Sequence, residues 1–358
     1  MASHFHPLKI KSVRQETPDC ISVQFDMPAL LEENFAYQPG QHLTVRQIIN
    51  GEEVRRNYSL CSSPSEKDWR IAIKKMPGGV FSVWASEQLK PGLELEILPP
   101  MGKFTLPATN QQSKHYVAIA AGSGITPVMS IVKTILQTEP ASSITLVYGN
   151  RDRNSIIFKE DLDALKNRYL QRFMLHHIFS REKTDAPIFE GRIDEEKCKM
   201  LFGKLIYLPQ VDDIFICGPG GMIDAVRQFL QQQSFPKERI HYELFTAGNR
   251  PQTIAQFVPQ EAVANTEAAS ITIKLDGAQK NFPLAYDGDS ILEAALKRGA
   301  DLPYACKSGV CCTCKGRLIK GKVRMDVNYG LEPEEMEAGY ILTCQSHPVT
   351  EEVMVDFD

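Results

Sequence analysis

Four cysteines in the last quarter of the chain have a spacing that suits an iron–sulfur cluster. Cys306, Cys311 and Cys314 follow one another with four and then two residues between them, and Cys344 comes later. Thiolates at this spacing hold plant-type [2Fe–2S] clusters. The alternative is a four-cysteine zinc site, but zinc favours paired Cys-x2-Cys knuckles and only one such pair occurs here. We predict these four as cluster ligands and Cys312 as a non-ligand, because using it would change the spacing to five and one.

A second group of residues, Arg56-Asn57-Tyr58-Ser59, has the chemistry needed to bind a flavin. The arginine can pair with a pyrophosphate, and the tyrosine can stack on an isoalloxazine ring. The serine hydroxyl can donate a hydrogen bond near flavin N5, where a hydride arrives. An exposed Arg-x-Tyr pair in a strand is the alternative interpretation.

Two glycines about twenty residues later precede a predicted helix. Backbone amides at such a position can cradle a phosphate, whereas a simple β-turn is the alternative. We therefore predict a phosphate-binding turn, and its candidate residues are Gly78, Gly79, Val80, Phe81 and Ser82.

The segment from Gly122 to Pro127, Gly-Ser-Gly-Ile-Thr-Pro, follows an apolar strand and opens a predicted helix, with Pro127 at its first position. Turns of this kind bring backbone amides to the phosphates of a dinucleotide. The next strand does not end in the acid that would hold a ribose 2′-hydroxyl. Arginines stand at the ends of the second and third strands and suit a 2′-phosphate, which predicts NADPH; solvated surface arginines are the alternative. The candidate residues are Gly122, Gly124, Thr126, Pro127, Arg151, Ser180 and Arg181.

The order of short β-like runs and strand–helix alternations predicts three domains. Residues 1–110 are predicted to form an antiparallel β-barrel, and residues 111–245 a doubly wound α/β domain with a parallel sheet. Residues 246–270 have the composition of a linker, and residues 271–358 form the last domain. In it we predict a helix from Ser290 to Arg298, with Asp289 or Ser290 as N-cap and Gly299 after its end.

The composition excludes several classes of function. The formal charge of −4 is too small to indicate a nucleic-acid partner, and no apolar run approaches the length needed to cross a bilayer. Nine cysteines in a long chain whose amino-terminal sequence resembles no export signal indicate the cytoplasm. From Asp326 onward there are nine acids and no Lys or Arg, which could steer a basic partner.

These motifs together resemble the ferredoxin–NADP reductase superfamily, followed by a plant-type ferredoxin domain. The resemblance implies FAD as the flavin and a β-grasp fold for the last domain. It also implies that Cys217 and Gly218, in a Cys-Gly-Pro loop, lie beside the nicotinamide; a buried, inert cysteine is the alternative. Glu243 and Phe245 match the acid and the aromatic residue that relatives set against the flavin. The implied catalytic residues are Ser59, Cys217 and Glu243.

The stretches 118–127, 290–310 and 328–344, and the last four residues, resemble the reductase subunits of phenylacetyl-CoA epoxidases. Cys312 departs from the small residue usual there. The resemblance implies that electrons pass from NADPH through FAD and the [2Fe–2S] cluster to a di-iron oxygenase, as in phenylacetate degradation. Two alternatives stay open: a reductase for another oxygenase that hydroxylates aromatic rings or steroids, and an iron–sulfur redox sensor, which needs a further DNA- or protein-binding segment.

Overall fold

The structure, a computed structural model, describes residues 4–106, 113–245, 268–275 and 277–358. The chain divides into two compact units, His4–Gly248 and Asn249–Asp358 together with Met1–Ser3. Most of the predicted linker lies outside the described residues. Its last three residues, 268–270, already belong to a strand, so the regular structure of the last domain begins earlier than the predicted boundary. The domain ends themselves stay a prediction.

The first part of the larger unit is a six-stranded antiparallel barrel. Its strands lie in the order β4-β3-β6-β1-β2-β5, and a bridge between Leu60 and Ile71 joins the end of β4 to β5 and closes the sheet. Helix α1 covers one side, with Phe81 buried among the barrel's apolar residues. The elements are β1 (His6–Thr17), β2 (Cys20–Asp26), β3 (His42–Ile49), β4 (Glu52–Ser59), β5 (Trp69–Lys74), α1 (Val80–Gln88) and β6 (Glu94–Ile97).

The second part is a parallel five-stranded sheet in the order β11-β10-β7-β8-β9. Strands β7 and β10 are neighbours although the chain builds β8 and β9 between them, so the order reverses at this point. In open α/β sheets, ligands bind in the crevice that lies beside the carboxyl ends of the strands at such a reversal. The elements are β7 (His115–Ala121), α2 (Ile125–Thr138), β8 (Ser143–Asn150), α3 (Lys159–Arg168), β9 (Phe173–Phe179), α4 (Glu195–Lys204), β10 (Asp213–Gly218), α5 (Gly220–Gln232) and β11 (Ile240–Leu244).

Helix α2 has buried residues on nearly every face, because it packs between the sheet and the barrel. The Ser130 hydroxyl donates to the Ser62 carbonyl at 2.6 Å, and the Lys133 ammonium lies 3.2 Å from the Glu66 carboxylate. Barrel residues such as Phe104 belong to the same apolar cluster as the sheet residues. Burial of this shared surface fixes the barrel against the sheet.

The predicted place of Pro127 in α2 is wrong by two residues. The helix begins at Ile125, directly after a 3-10 turn over Gly122–Gly124, so Pro127 is its third residue. Proline is tolerated there because N–H groups of a first turn lack a partner within the helix. The Thr126 hydroxyl supplies a donor to the Ser123 carbonyl at 3.0 Å.

The smaller unit is a sheet in the order β13-β12-β18-β14-β16, with β12 and β18 parallel and the other pairs antiparallel. Helix α6 packs on it, as the predicted β-grasp fold requires. Ser290 caps α6 by accepting from the Glu293 N–H at 3.3 Å, and Gly299, with φ of 72°, follows its end. The elements are β12 (Ala268–Leu275), β13 (Ala278–Ala285), α6 (Ile291–Lys297), β14 (Lys315–Lys320), β15 (Val323–Met325), α7 (Pro333–Glu337), β16 (Tyr340–Leu342), β17 (Ser346–Pro348) and β18 (Glu352–Asp356).

A buried ion-pair network lies at the amino ends of the central parallel strands. The Asp213 carboxylate at the start of β10 accepts from Lys114 Nζ at 2.9 Å and lies 3.0 Å from His241 Nε2. Burial alone would raise the pKa of Asp213, but the hydrogen bonds from His241 and Lys114 outweigh it, and the pKa is lowered. The carboxylate is therefore charged in the folded protein at neutral pH.

We expect Asp213→Asn to lower the free energy of unfolding by about 1–3 kcal/mol at pH 7, because Lys114 keeps its charge without a carboxylate. Since the pKa is lower in the folded than in the unfolded state, this stabilisation is present above about pH 4 and is lost as the pH falls through the folded-state value. Urea unfolding at pH 7, 5, 4 and 3 measures it. The exposed Asp163→Asn variant is the control, and a difference between D213N and the native protein that stays constant below pH 4 would contradict the analysis.

Candidate functional site

The structure brings Ser59, Cys217 and Glu243 together at the carboxyl edge of the parallel sheet. Ser59 ends β4, and its hydroxyl donates to Glu243 Oε2 at 3.4 Å. Glu243 lies on β11 in direct register with Cys217 on β10. Ser59 and Cys217 are buried, whereas Glu243 is partly exposed. The site is thus built jointly by the barrel and the sheet, and the catalytic roles of the three residues stay a prediction.

Cys217 is an uncharged, apolar part of this edge. Burial, and then the neighbouring Glu243 carboxylate, raise the pKa of its thiol well above the usual value. A Cβ atom added to Gly124 would lie 2.1 Å from the Cys217 carbonyl oxygen, so only glycine lets the turn after β7 lie against the end of β10. Gly218 follows Cys217, and a Cβ atom added to it would lie 2.7 Å from the end of the Met222 side chain and 3.2 Å from Ala121.

A line of polar side chains continues from Glu243 into the barrel. The Thr44 hydroxyl donates to Asn57 Oδ1 at 2.8 Å, so the Asn57 amide nitrogen faces His42 Nε2 at 3.0 Å. His42 Nε2 is then the acceptor, and the ring carries its proton on Nδ1, which lies 3.7 Å from Glu243 Oε1. The Glu243 carboxylate therefore lies between two groups that carry exchangeable protons, the Ser59 hydroxyl and the His42 ring.

His42 and Asn57 were not predicted from the sequence as site residues. Both lie on barrel strands, where His42 and Thr44 are buried among apolar neighbours. The available signal was that His42 and Thr44 alternate with the apolar Leu43 and Val45 along β3, since polar groups that become buried need partners.

Tyr58 and Arg56 lie on the same strand, β4. The ring of Tyr58 is 5.6 Å from that of Phe81, and burial raises the pKa of its hydroxyl. Phe81 packs in turn against Trp84, so it supports Tyr58 from within the barrel. Arg56 follows the buried Arg55, and its guanidinium donates to the Arg55 carbonyl at 2.7 Å. This strand offers an aromatic ring and a cation, which are the groups a flavin nucleotide needs.

The predicted phosphate-binding turn lies at the start of α1. Gly78 has a positive φ of 73°, and Gly79 is the N-cap, with no side-chain hydrogen bond to the first turn. Ser82 is buried, and its hydroxyl accepts from the Met76 N–H at 3.1 Å, which holds the turn closed. Val80 is half exposed. The amides of the first turn carry the positive end of the helix dipole, so this end of the nine-residue helix fits a phosphate group.

The two predicted arginines of the nucleotide site are neighbours. The Arg181 N–H donates to the Arg151 carbonyl at 2.9 Å, and Ser180 donates to the carbonyl of Asn150. The carboxylate of Asp152 accepts from the Ser155 N–H at 3.0 Å and so caps its own turn. The ends of β8 and β9 therefore present two cations, while Asp152, the acid next to Arg151, is engaged with the backbone and Glu182, the acid next to Arg181, is paired with Arg153.

Three further residues that were predicted to contact the nucleotide or the flavin, Gly122, Thr126 and Phe245, lie along the same edge of the sheet. Gly122, with φ of 54°, is held by the Tyr148 hydroxyl, which donates to its carbonyl at 3.0 Å. Thr126 stands in the first turn of α2, as described above. Phe245 directly follows β11 and packs against the apolar core of the sheet. In this structure Phe245 supports the sheet, and a contact with the flavin stays a prediction.

In the smaller unit, the loop from Cys306 to Cys314 turns backbone N–H groups toward sulfur. Lys307, Gly309 and Cys312 have positive φ angles of 51°, 73° and 55°. The N–H groups of Ser308 and Cys311 each donate to Cys306 Sγ at 3.4 Å. The left-handed residues allow this concave shape, which is suited to holding sulfur atoms and the negative charge of a cluster.

The four predicted ligands form two pairs of sulfur atoms. The Cys311 thiol, together with the Ser308 and Cys311 N–H groups, lowers the pKa of Cys306. In the second pair the Cys314 thiol lowers the pKa of Cys344. Two pairs of cysteines match two irons with two thiolates each, so the residues fit a [2Fe–2S] cluster. Cys312 Sγ instead packs against Gly330, where an added Cβ atom would lie 2.5 Å away.

Comparison with known proteins agrees with this arrangement. The oxidoreductase FAD-binding domain matches residues 7–106, the oxidoreductase NAD-binding domain residues 118–228, and the 2Fe-2S iron-sulfur cluster binding domain residues 273–349. The chain is 44% identical to a 1,2-phenylacetyl-CoA epoxidase subunit from Escherichia coli K12, covering 99% of this chain and 98% of that protein. It is 34% identical to the ferredoxin reductase component of 3-ketosteroid-9-alpha-monooxygenase from Rhodococcus rhodochrous, over 98% and 96% of the two chains.

Among solved structures, phthalate dioxygenase reductase superposes with a TM-score of 0.62 at 24% identity, over 99% of this chain and 98% of that one, and it shows the same fold. The protein is thus an oxidoreductase with FAD-binding, NAD-binding and 2Fe-2S domains. It belongs to the family of oxygenase reductase components that includes the epoxidase and steroid monooxygenase proteins just compared. Among the described residues, none of the helices is both long and apolar enough to cross a membrane.

Because the sulfur of Cys312 packs against Gly330 and Cys312 does not fit the ligand spacing, we expect Cys312→Ser to keep the full iron content and the visible absorption of the cluster. Cys311→Ser should lose the cluster, because an alternative ligand at 312 changes both spacings. Iron and sulfide analysis with visible spectra of the purified variants measures this. Loss of the cluster in C312S with retention in C311S would show that the ligand is Cys312.

Proposed function

We propose that this protein is an NADPH-dependent reductase that supplies electrons to a di-iron oxygenase, the phenylacetyl-CoA epoxidase of phenylacetate degradation. When bound, FAD takes a hydride and the [2Fe–2S] cluster takes single electrons, which is the chemistry the two groups supply. The observation that carries the proposal is the 44% identity with a phenylacetyl-CoA epoxidase component over nearly the whole of both chains. We propose a cytoplasmic location, where clustered thiols stay reduced until they bind iron.

The residues at the edge of the sheet support the first step. Cys217 contributes a buried, uncharged thiol to the edge predicted to face the nicotinamide, and the turn at Gly124 lies against its backbone carbonyl. The Ser59 hydroxyl, predicted to lie near flavin N5, donates a hydrogen bond to the Glu243 carboxylate, so the two residues can act together there. Glu243 and His42 can hold a proton next to Ser59, within hydrogen-bond reach or one water away.

The choice of NADPH is supported by the arginines at the ends of β8 and β9. Arg151 and Arg181 are joined through their backbones, so their side chains start from adjacent points of the edge. A 2′-phosphate carries up to two negative charges and matches guanidinium groups in geometry. Asp152, which could have repelled it, holds its carboxylate against the Ser155 N–H.

We expect the double variant Arg151→Gln and Arg181→Gln to lower the ratio of kcat/KM for NADPH over NADH by about tenfold or more, because charge-assisted hydrogen bonds to phosphate are lost. The loss should appear as a rise in KM for NADPH, with kcat nearly unchanged. Steady-state reduction of an artificial electron acceptor measures it, with the exposed Arg168→Gln variant as the control. An unchanged ratio would mean that the coenzyme preference does not depend on these arginines.

The partner is tested by reconstitution. With NADPH, phenylacetyl-CoA and the oxygenase subunits of a phenylacetyl-CoA epoxidase, we expect substrate-dependent oxygen consumption at least about tenfold faster than with a non-cognate oxygenase. The second candidate is the oxygenase of a steroid 9-alpha-monooxygenase, since a reductase of that system is 34% identical. Faster, coupled oxygen consumption with the steroid oxygenase would favour this second function. Both measurements use the intact holoprotein, so a difference in the rate of oxygen consumption reflects the partner oxygenase.

A further inference from the structure

The turn between β1 and β2 places a carboxylate at the nucleotide edge of the sheet. Asp19 Oδ2 lies 2.8 Å from Arg151 Nη2 and 3.7 Å from Lys74 Nζ. Its other oxygen accepts from the Thr17 hydroxyl at 2.8 Å, and its carbonyl accepts from the Lys75 N–H at 2.7 Å. Asp19 is therefore held in place by the barrel, while its charge faces two cations of the predicted nucleotide site.

The two cations approach the parts of the edge that receive phosphate groups. A Cβ atom added to Gly122 would lie 3.9 Å from Lys74 Nζ, so the ammonium stands next to the glycine turn after β7. Arg151 follows β8 at the predicted 2′-phosphate position. Burial would raise the pKa of Asp19, but the Thr17 hydroxyl, Lys74 and Arg151 lower it, so the group is a carboxylate at neutral pH. The Asp19 carboxylate is thus paired with two cations, Lys74 and Arg151, that could instead bind a phosphate group.

We propose that Asp19 is a coenzyme-selecting residue: its carboxylate competes with the 2′-phosphate of the nucleotide for Arg151 and must give up that ion pair when NADPH binds. This rests on the proposed use of NADPH. The Arg151 side chain is about half exposed (48%), and exposed ion pairs are weak, so the pair can open without disrupting the fold. NADH lacks the 2′-phosphate and leaves the Asp19–Arg151 pair in place.

Asp19→Asn keeps the size of the side chain and removes the charge. We expect the dissociation constant for NADPH to fall by about three- to tenfold, because Arg151 no longer has to leave a carboxylate. The limiting rate of flavin reduction should not change, and the dissociation constant for NADH should change by less than about twofold. Anaerobic stopped-flow titration of the holoprotein with each coenzyme gives both constants. In an Arg151→Gln background, Asp19→Asn should change the affinities for NADPH and NADH by the same small factor, because the remaining partner, Lys74, faces the glycine turn that both coenzymes would use.

The control variant is Glu160→Gln, which removes another ion pair between barrel and sheet, Arg14 with Glu160 at 3.1 Å, and changes the net charge equally. Its affinity for NADPH should stay that of the native protein. A weaker affinity in D19N would overturn the proposal, because it would show that Asp19 positions Arg151 for the phosphate. An unchanged affinity in D19N, with a weaker one in R151Q, would also overturn it. If R151Q leaves NADPH affinity unchanged, the assignment of the 2′-phosphate site itself fails.

Discussion

The close approach of Gly124 to the carbonyl of Cys217 is the constraint on which the nucleotide side of the site depends. A side-chain atom at Gly124 would overlap that oxygen, so the turn after β7 reaches the end of β10 only with glycine. The contact occurs where the strand order reverses, and it holds the turn after β7 against the backbone at the end of β10. Cys217 pairs with Glu243 on the neighbouring strand β11, and Glu243 accepts a hydrogen bond from Ser59 on the barrel.

The second requirement is that the barrel does not move against the sheet. Helix α2 provides this, because its apolar surface is buried on both sides and its polar residues bond to the barrel loop at Ser62 and Glu66. With the two parts fixed, Ser59, His42 and Glu243 keep distances that a mobile interface would lose. The ion pair of Asp19 with Arg151 is weaker because it is partly exposed, so Arg151 can exchange Asp19 for a ligand when one binds.

Local chemistry explains which features could be predicted from the sequence. The ligand spacing of Cys306, Cys311 and Cys314 is set within one loop, and the capping of α6 by Ser290 and Gly299 is set within one helix, so both could be recognised. Pro127 was misplaced because the 3-10 turn before α2 has no sequence signal that separates it from a loop. His42, Asn57 and Asp19 were missed because their importance comes from partners on other strands, which periodicity within one segment does not reveal.

We propose that one chain takes a hydride from NADPH and releases single electrons through its cluster. Anaerobic stopped-flow absorbance of the holoprotein mixed with NADPH tests it most directly. We predict rapid loss of flavin absorbance, followed by loss of cluster absorbance at a rate at least equal to turnover with the oxygenase. Flavin bleaching with an unchanged cluster throughout the time of a turnover would contradict the account.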